Sequence, residues 1–452
     1  MSESAEVVVC GAGMAGIAAA YHLAVRHQVK RVVLVDEREP LTLTSDKGTQ
    51  AYRNWWPGPD ATMLRYMSRS LDLLEEMADE SGNVFRLNRR GYVFVTSDDE
   101  GVERLRSTAR TVSAFGMGPL REHDGAADYV PAPAEGYRDQ PVGADLLRGD
   151  AARQAFPGIA EDVRAALHVR RAGWLNAVSL GGWMLKRALG AGATFVRDRV
   201  VRFETDGGRM RGVRLASGAR IGTERVVIAA GPALPEVARL LDLELPLFLE
   251  LHAKLTMRDT LGIVDRRIPF LIWTDPVSLS WTPAERETLG RSTETRRLLE
   301  PFPGGVHIRP VDGLHGDELF LIWTYDIEER AFAWPPRFDP HYAAIALRGI
   351  ARLLPRMAAY VGRDTGVVDG GYYCKTRENR PLAGPLPLEG AYVLGALSGF
   401  GIMGSHAGAD LVAAHLTGAP LPEYARWFLP ARYDDAAYCA DVERWGALVG
   451  QL

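Results

Sequence analysis

Three glycines near the N-terminus have the spacing that a bound pyrophosphate requires. Gly11, Gly13 and Gly16 form the pattern Gly-x-Gly-x-x-Gly directly after the β-branched run 7–9. The first glycine allows a tight turn, the second lets the backbone approach a phosphate, and the third lets a helix pack close to the strand. Asp36 ends the next apolar run, about 20 residues further on, where an acid accepts hydrogen bonds from a ribose. The sequence therefore predicts a βαβ unit that binds a dinucleotide.

Pieces of the same kind recur downstream of this unit. Residues 178–189 have helical periodicity, and the run RVVIAAGPA predicts a buried strand that ends at Gly231. Such a strand would bring Ala230 and Gly231 against a dinucleotide. Because FAD spans its domain and contacts several distant segments, this arrangement favours FAD over NAD.

The rest of the chain indicates a second, interleaved domain. A chain of 452 residues is too long for one hydrophobic core. We expect an α/β fold, in which a Rossmann-like FAD-binding domain with a parallel sheet alternates with a mostly antiparallel β substrate domain. The FAD-binding domain is assigned to 1–82, 150–244 and 366–452, and the substrate-binding domain to 83–149 and 245–365. In detail, we expect a strand pair at 83–96, an irregular loop at 119–149 and a last helix at 405–416.

The composition excludes several classes of protein. A net charge of −4 gives no sign of nucleic-acid or anionic-membrane binding. No uncharged run is long enough to span a bilayer, and Glu3 and Glu6 replace the basic leader of a signal peptide. The three cysteines are isolated, which favours reduced thiols and a cytoplasmic location. We find no metal-ligand spacing and expect no metal.

Four segments together resemble the flavoenzyme family of D-amino-acid oxidase, glycine oxidase and monomeric sarcosine oxidase. They are the glycine pattern with Asp36, residues 173–193 (GWLNAVSLGGWMLKRALGAGA), residues 225–241 (RVVIAAGPALPEVARLL) and residues 370–418, which start GGYYCKTRENRPLAG. They span nearly the whole chain in the family's order. The resemblance implies a flavin ring covered by the loop 397–405, with the following helix pointing its N-terminus at the ring. A helix dipole there would stabilise negative charge on reduced flavin.

The glycine pattern and the resemblance together predict the cofactor residues. The cofactor is FAD, and its predicted contacts are Gly11, Ala12, Gly13, Met14, Gly16, Asp36, Glu37, Thr44, Ser45, Lys47, Gly48, Val200, Ala230, Gly231, Gly399, Phe400, Gly401, Ile402 and Met403. Some family members attach FAD covalently through a cysteine or histidine. Gly371 falls at the position of that cysteine, and we expect Cys374 to point elsewhere. We therefore predict non-covalent FAD.

The resemblance also assigns an active-site wall. The segment TSDKGTQAYRNWWPG at 44–58 would cross the flavin, which places Arg53 and Trp55 at the substrate, with one of Trp55 and Trp56 in the pocket and the other in the core. Tyr373 falls where relatives grip a substrate carboxylate. A second carboxylate-binding lysine is replaced by Met403. An oxygen-activating lysine, expected near 321 or 322, is also missing, and Lys254 on a neighbouring strand could substitute for it.

These residues predict FAD-dependent oxidation of a C–N bond in an amine or amino acid to an imine. The electron acceptor is oxygen or another molecule, so an oxidase and a dehydrogenase both remain open. A monooxygenase-type tailoring enzyme and a flavin-binding subunit of a larger oxidase complex are further alternatives. We read the histidines at 252, 307 and 406 as structural. If at least two of the tryptophans in the substrate domain line the pocket, the substrate is bulky, aromatic or cyclic; these are Trp273, Trp281, Trp323 and Trp334.

Overall fold

The computed structural model describes residues 3–311, 313–363 and 366–446. Its strands are β1 (Glu3–Ser4), β2 (Val7–Cys10), β3 (Val32–Asp36), β4 (Ala51–Arg53), β5 (Tyr92–Thr96), β6 (Leu120–His123), β7 (Ala144–Arg148), β8 (Ala165–Val169), β9 (Ala172–Trp174), β10 (Thr194–Arg197), β11 (Val200–Asp206), β12 (Arg209–Leu215), β13 (Arg220–Gly222), β14 (Val226–Ile228), β15 (Phe248–Arg258), β16 (Phe270–Trp273), β17 (His307–Pro310), β18 (Glu318–Ile322), β19 (Gly366–Lys375), β20 (Leu382–Pro385) and β21 (Ala391–Gly395).

The α-helices are α1 (Met14–Tyr21), α2 (Thr62–Ser81), α3 (Asp99–Val112), α4 (Gly149–Ala155), α5 (Ala177–Gly190), α6 (Leu234–Arg239), α7 (Pro283–Gly290), α8 (Thr293–Arg296), α9 (Tyr342–Leu353), α10 (Gly401–Thr417) and α11 (Ala436–Trp445). Helix α1 continues into a π-helical turn at His22–Arg26. Among the described residues, no helix has the length and apolar character needed to cross a membrane.

A six-stranded sheet forms the first layer, in the order β10-β3-β2-β14-β21-β20. All its pairs are parallel except β20–β21. Strands β2, β3 and β14 are runs of β-branched residues buried on both faces, as parallel strands covered by other elements must be. Helices α1, α5 and α10 pack together in the core on one face. The predicted parallel sheet is therefore confirmed.

A nine-stranded sheet forms the second layer, in the order β19-β15-β18-β17-β16-β5-β8-β7-β6. Its pairs are antiparallel except β16–β5 and β6–β7. One face, with Leu255 and Leu321, packs against α9. The other face, with Phe94 and Phe270, packs against the core around Trp55. The sheet is mostly antiparallel, as predicted.

Some local predictions were wrong. The expected strand pair at 83–96 is a single strand, β5, because the backbone of Asn83 and Arg86 has positive φ and turns the chain. The expected irregular loop at 119–149 contains β6 and β7, which add the last strands of the sheet. Helix α10 starts at Gly401, one turn before the predicted start at 405. Its first turn contains Gly404, which packs close to Met67 and Phe400 despite the low helix propensity of glycine.

Two strands of the nine-stranded sheet come from segments that the sequence analysis assigned to the other domain. Strands β8 and β19 fall in segments assigned to the FAD-binding domain, yet both pair in the nine-stranded sheet. The domain limits stay a prediction. What matters for the site is that β19 belongs to the second layer and borders the first.

The buried imidazole of His168 gives this fold a pH dependence. Nε2 of His168 donates to the carbonyl oxygen of Arg90, and Nδ1 accepts from Arg170 and from the Tyr129 hydroxyl. These partners select the neutral tautomer. Burial, which disfavours the charged form, and the charge of Arg170 lower the pKa of His168 to about 3 from the ordinary value of 6.5.

We expect acid to destabilise the protein partly through His168. The pKa is lower in the folded state, so the unfolded state binds more protons as the pH falls below 6.5. Between about pH 7.5 and pH 5 this residue should cost about 2 kcal/mol of unfolding free energy. The Tm of His168→Gln should therefore fall less over this range than that of the wild type, with exposed His315→Gln as the control. Equal slopes for all three proteins would contradict this account.

Candidate active site

The turn between β2 and α1 needs glycine at two positions of the pattern, Gly11 and Gly16. Gly11 has φ +112°, and an added Cβ would overlap the carbonyl oxygen of Ala229. A Cβ on Gly16 would overlap the carbonyl oxygen of Gly11, so this glycine allows α1 to approach β2. A Cβ on Gly13 would lie 3.3 Å from Oγ of Ser45, which itself accepts from the Met14 N–H at 2.9 Å. The turn therefore brings the backbone and the N-terminus of α1 to the edge of open space, as a phosphate site requires.

A cavity of about 410 Å³ opens beside Asp36, at the end of β3. We call it the Asp36 cavity. The carboxylate of Asp36 accepts hydrogen bonds from the N–H groups of Ala12, at 2.6 Å, and Arg38, at 2.9 Å. Each oxygen keeps a second lone pair for a ribose hydroxyl. The lining residues are Cys10, Gly11, Ala12, Gly13, Val35, Asp36, Glu37, Arg38, Glu39, Leu41, Thr42, Leu43, Asp198, Arg199, Val200, Val201, Ala230, Ala233, Glu236, Val237, Leu240 and Phe332.

A second cavity, of about 140 Å³, continues from the first toward the edge of β19. We call it the Tyr373 cavity. It is lined by Gly11, Gly13, Met14, Ala15, Asp36, Leu43, Thr44, Ser45, Gly48, Gln50, Ala51, Ala229, Ala230, Gly231, Pro232, Tyr372, Tyr373, Cys374, Leu394, Gly395, Ala396, Leu397, Ser398, Gly399, Gly401 and Ile402. The two cavities share the glycine turn and Asp36, so they form one elongated cleft between the two layers.

Helix α10 begins at the Tyr373 cavity. Gly401 and Ile402 of its first turn line the cavity, and no side chain caps the helix. The first N–H groups of a helix have no intrahelical partner and carry the positive end of its dipole. This end of the cleft therefore favours negative charge. Phe400 and Met403 point instead into the core, where the Phe400 ring lies 5.1 Å from Trp56.

The cleft fits FAD. A ribose-binding carboxylate stands at one end, a glycine turn with a helix N-terminus in the middle, and an aromatic cavity with a second helix N-terminus at the far end. This order matches adenosine, pyrophosphate and flavin ring. No group of three or more His, Cys, Asp or Glu side chains within the described ranges is arranged to hold a metal ion.

The Tyr373 side chain is held by a buried chain of polar groups. Its ring stacks on His252 with centroids 4.2 Å apart, and His252 Nε2 lies 2.8 Å from a carboxylate oxygen of Glu250. Lys375 Nζ donates to both oxygens of Glu250, at 2.9 and 3.1 Å. The Tyr373 hydroxyl itself makes no hydrogen bond within the described part of the chain. Burial raises its pKa, so it stays protonated and can donate to a ligand.

Arg53 lies beneath the start of α10. Its guanidinium carbon is 4.6 Å from the Trp56 ring centroid and 5.9 Å from that of Tyr92. Its backbone N–H points at Sδ of Met403, 3.4 Å away. Burial lowers the pKa of Arg53, which still remains far above neutral pH in this type of side chain. Arg53 lines neither of the two cavities, and its positive charge lies among aromatic rings.

Both tryptophans beside Arg53 are buried, against the expectation that one would line the pocket. Trp55 packs on Phe94 with ring centroids 5.4 Å apart, and Trp56 packs on Phe400 and Arg53. Neither lines the two cavities. The turn after β4 places both rings between the layers, where each finds an apolar face.

Lys254 and a histidine flank the position at which a lysine was expected. Ile322 on β18 pairs with Lys254 on one side and with His307 on the other. Lys254 Nζ lies 3.4 Å from Asp369 and 4.2 Å from the Phe320 ring centroid, and burial lowers the pKa of this lysine. The sequence hypothesis that Lys254 neighbours the missing lysine therefore agrees with the strand register.

The sequence predicted a structural role for His307. Its geometry adds a possible contact with a ligand, because one ring nitrogen has no partner among the described residues. Nδ1 of His307 donates to the carbonyl oxygen of Gly305 at 2.7 Å, which leaves Nε2 unprotonated in the neutral ring. Burial lowers the pKa of His307 to about 4, with a further contribution from the charge of Arg53. Nε2 makes no hydrogen bond among the residues described, so it is an acceptor near Arg53. Arg53 lies on β4 and His307 on β17, in different sheets, so no local sequence pattern indicates that the two are near each other.

Two further expectations need correction. The Lys47 ammonium turns away from the cleft and pairs with Asp46 at 3.1 Å and Asp369 at 3.5 Å, so it is not among the lining residues. Cys374 lines the Tyr373 cavity although we expected it to point elsewhere. Burial raises the pKa of its thiol to about 12, which keeps it protonated and unreactive.

The tryptophans of the second layer do not support a bulky substrate. None of the four lines the Tyr373 cavity; Trp273 and Trp323 belong to the core on the opposite face of the sheet, Trp281 packs against that core, and Trp334 is 42% exposed. Sequence reasoning also missed Gln50, Arg38, Arg199 and Phe332 in the cleft lining. Arg38 is two residues after Asp36 and could have been inferred; Phe332 gave no signal.

Comparison with known proteins agrees with this site. Residues 6–415 match the DAO family model, described as FAD dependent oxidoreductase, so the chain belongs to this family and is an FAD-dependent oxidoreductase. No curated protein matches in sequence.

Solved structures share the fold at low identity. L-proline dehydrogenase from P. horikoshii is similar over 96% of this chain and 99% of its own, with a TM-score of 0.74 and 18% identity. Glycine oxidase from Geobacillus kaustophilus is similar over 93% of this chain and 96% of its own (TM-score 0.70, 16% identity). L-amino acid deaminase from Proteus vulgaris is similar over 96% of this chain and 98% of its own (TM-score 0.70, 16% identity).

Removing the charge of Asp36 should weaken FAD binding. A hydrogen bond to a charged group contributes about 1.5–3 kcal/mol, so Asp36→Asn should raise the Kd for FAD by about 10- to 100-fold. Asp206→Asn is the matched control, because Asp206 is exposed, faces Arg211 on β12 and lines neither cavity. Titration of apoprotein with FAD, followed by flavin fluorescence, gives both constants. Equal Kd values for the two variants would show that Asp36 does not bind FAD.

Proposed function

We propose that this protein oxidises the C–N bond of a small amine or amino acid to an imine. The observation that carries the proposal is the Tyr373 cavity. There a donor hydroxyl and an uncapped helix N-terminus meet at one end of an FAD-shaped cleft. Membership of the DAO family and the similar solved structures, which include a proline dehydrogenase, a glycine oxidase and an amino acid deaminase, support the same reaction class.

FAD supplies the redox chemistry when bound, by accepting a hydride from the carbon next to nitrogen. The protein's part is to bind and orient the amine and to stabilise charge. We assign the substrate carboxylate to the Tyr373 hydroxyl and the Arg53 charge, which combine a neutral donor with a cation. The first turn of α10 stabilises negative charge at the adjoining end of the cavity.

The surroundings favour a neutral amine, which is the form that can donate a hydride. Apolar residues that line the Tyr373 cavity, such as Met14, Leu394 and Leu397, disfavour an ammonium ion. His307 adds an uncharged acceptor near Arg53 and brings no positive charge of its own at neutral pH. A strong general base is not needed in this scheme.

The electron acceptor is either oxygen or another molecule. Lys254 pairs with Ile322, the position at which an oxygen-activating lysine was expected. Its ammonium is therefore close to the expected place of that charge, which supports an oxidase. Its ion pair with Asp369 and its contact with Phe320 hold it within the sheet, which supports a dehydrogenase. We also propose non-covalent FAD and, because the three cysteines are unpaired, a cytoplasmic protein.

Anaerobic mixing of the holoprotein with secondary amines, N-methyl amino acids and D- and L-amino acids tests the reaction class. We expect one class to bleach the oxidised flavin absorbance, and admission of air then distinguishes an oxidase from a dehydrogenase. Bleaching by NADPH alone would overturn the proposal and favour a monooxygenase.

Replacing Arg53 separates carboxylate binding from chemistry. Loss of a charge-assisted contact costs about 3 kcal/mol, so Arg53→Met should lower kcat/KM for an amino acid by about 100-fold. The decarboxylated amine should be turned over equally well by variant and wild type. Arg110→Met, at an exposed position of α3, is the control. Equal losses of kcat/KM on the amino acid and on the amine would show that Arg53 does not bind the carboxylate.

Denaturation tests the mode of FAD attachment. The protonated Cys374 thiol is a poor nucleophile, so acid precipitation of the holoprotein should leave all flavin in the supernatant. The intact mass of the chain should equal that of the polypeptide alone. Flavin retained in the pellet of wild type and lost from that of Cys374→Ser would show a covalent bond at this residue.

A further inference from the structure

The connection between β18 and α9 leaves the nine-stranded sheet and reaches the FAD cleft. It first runs beside β15. There the backbone of Glu329 forms an isolated antiparallel β-bridge with that of Glu250, and the Arg330 N–H donates to the carbonyl oxygen of Leu249 at 2.8 Å. Phe332 then lines the Asp36 cavity. The segment Arg330–Trp334, which we call the crossing segment, therefore takes part of the second layer to the adenosine end of the cleft.

Contacts on both sides of Phe332 fix the path of the crossing segment. The N–H of Ala333 donates to the Tyr372 hydroxyl at 3.2 Å, and the rings of Phe332 and Tyr372 lie 5.3 Å apart in an edge-to-face arrangement. The Trp334 ring covers the guanidinium of Arg38 at 4.8 Å. Tyr372 lines the Tyr373 cavity and Arg38 lines the Asp36 cavity, so the segment contacts both parts of the cleft.

The lining of the Asp36 cavity explains why an aromatic ring is useful there. Its charged groups carry both signs, and its apolar groups apart from Phe332 have no aromatic ring; the charged residues are Asp36, Glu37, Arg38, Glu39, Asp198, Arg199 and Glu236. An adenine ring is flat and uncharged, and it gains most from contact with another flat apolar surface. Phe332 is the one aromatic side chain among the residues that line this cavity.

We propose that the crossing segment is part of the FAD site, with Phe332 covering the adenosine half of the cofactor. The site is then built by both layers, and FAD joins them. The same connection also lines a further cavity of about 580 Å³ through Arg330 and Phe338, together with His252. His252 stacks on Tyr373, so the bound cofactor also fixes one wall of that cavity. This proposal does not depend on which substrate is oxidised.

FAD titration of apoprotein tests the proposal without using activity. Phe332→Ala should raise the Kd for FAD about tenfold, which corresponds to about 1.4 kcal/mol. Ile327→Ala is the control, because Ile327 belongs to the same connection, is 43% exposed and lines only the further cavity. Its Kd should stay within about twofold of the wild type.

Hydrogen exchange gives the second readout. In the wild type, FAD should slow exchange in the peptide that contains 330–334, and the effect should be smaller in Phe332→Ala. Should the alanine variant fail to fold, Phe332→Leu keeps the bulk and should bind FAD about threefold more weakly. A wild-type Kd in the Phe332 variants, or exchange in 330–334 unchanged by FAD, would overturn the proposal.

Discussion

The site depends on the close approach of β19 to the first layer. Gly371 helps this approach, since an added Cβ would lie only 3.2 Å from Thr44, which is tighter than an ordinary van der Waals contact. The Ser398 N–H donates to the carbonyl oxygen of Cys374 at 2.9 Å, which joins the same strand to the loop before α10. Because β19 is the edge strand of the nine-stranded sheet, these contacts place the edge of one layer directly against the cleft of the other.

A buried chain of polar side chains lies behind this edge. The Lys375–Glu250–His252 chain is buried behind Tyr373 and combines one cation, one anion and a histidine whose pKa is lowered by burial. A buried pair of this kind adds little net stability, but breaking it is costly, so it holds its members in place. The Tyr373 ring is therefore positioned by groups that do not themselves enter the cavity. The helix α10 N-terminus then supplies the field that acts on a ligand.

Local sequence patterns predicted one half of the cleft well. The glycine turn, Asp36 and the strand ending at Gly231 depend on residues that are close in sequence or on a pattern with a known geometry. The same was not true of the other half. Lys47 lies next to Gly48 in the chain, yet its ammonium turns toward Asp369 because β19 offers a carboxylate there. Sequence distance gave no indication of that contact.

Strand register and loop path decided the remaining errors. Cys374 reaches the cavity because β19 is the edge strand that borders the cleft, and a single-strand pattern cannot show which strand is the edge. His307 stands beside Ile322 only through pairing of β17 with β18. Phe332 is placed by a connection without regular structure, which no periodicity predicts. These positions need a three-dimensional structure.

The crystal structure of the holoprotein with a non-reactive carboxylate ligand tests the central claim most directly. The account predicts the flavin ring along the β19 edge between Tyr373 and the first turn of α10, with the ligand carboxylate near Arg53 and the Tyr373 hydroxyl. A flavin ring in the cleft with the carboxylate bound elsewhere would contradict the assigned substrate site. A flavin ring outside the Tyr373 cavity would contradict the whole account.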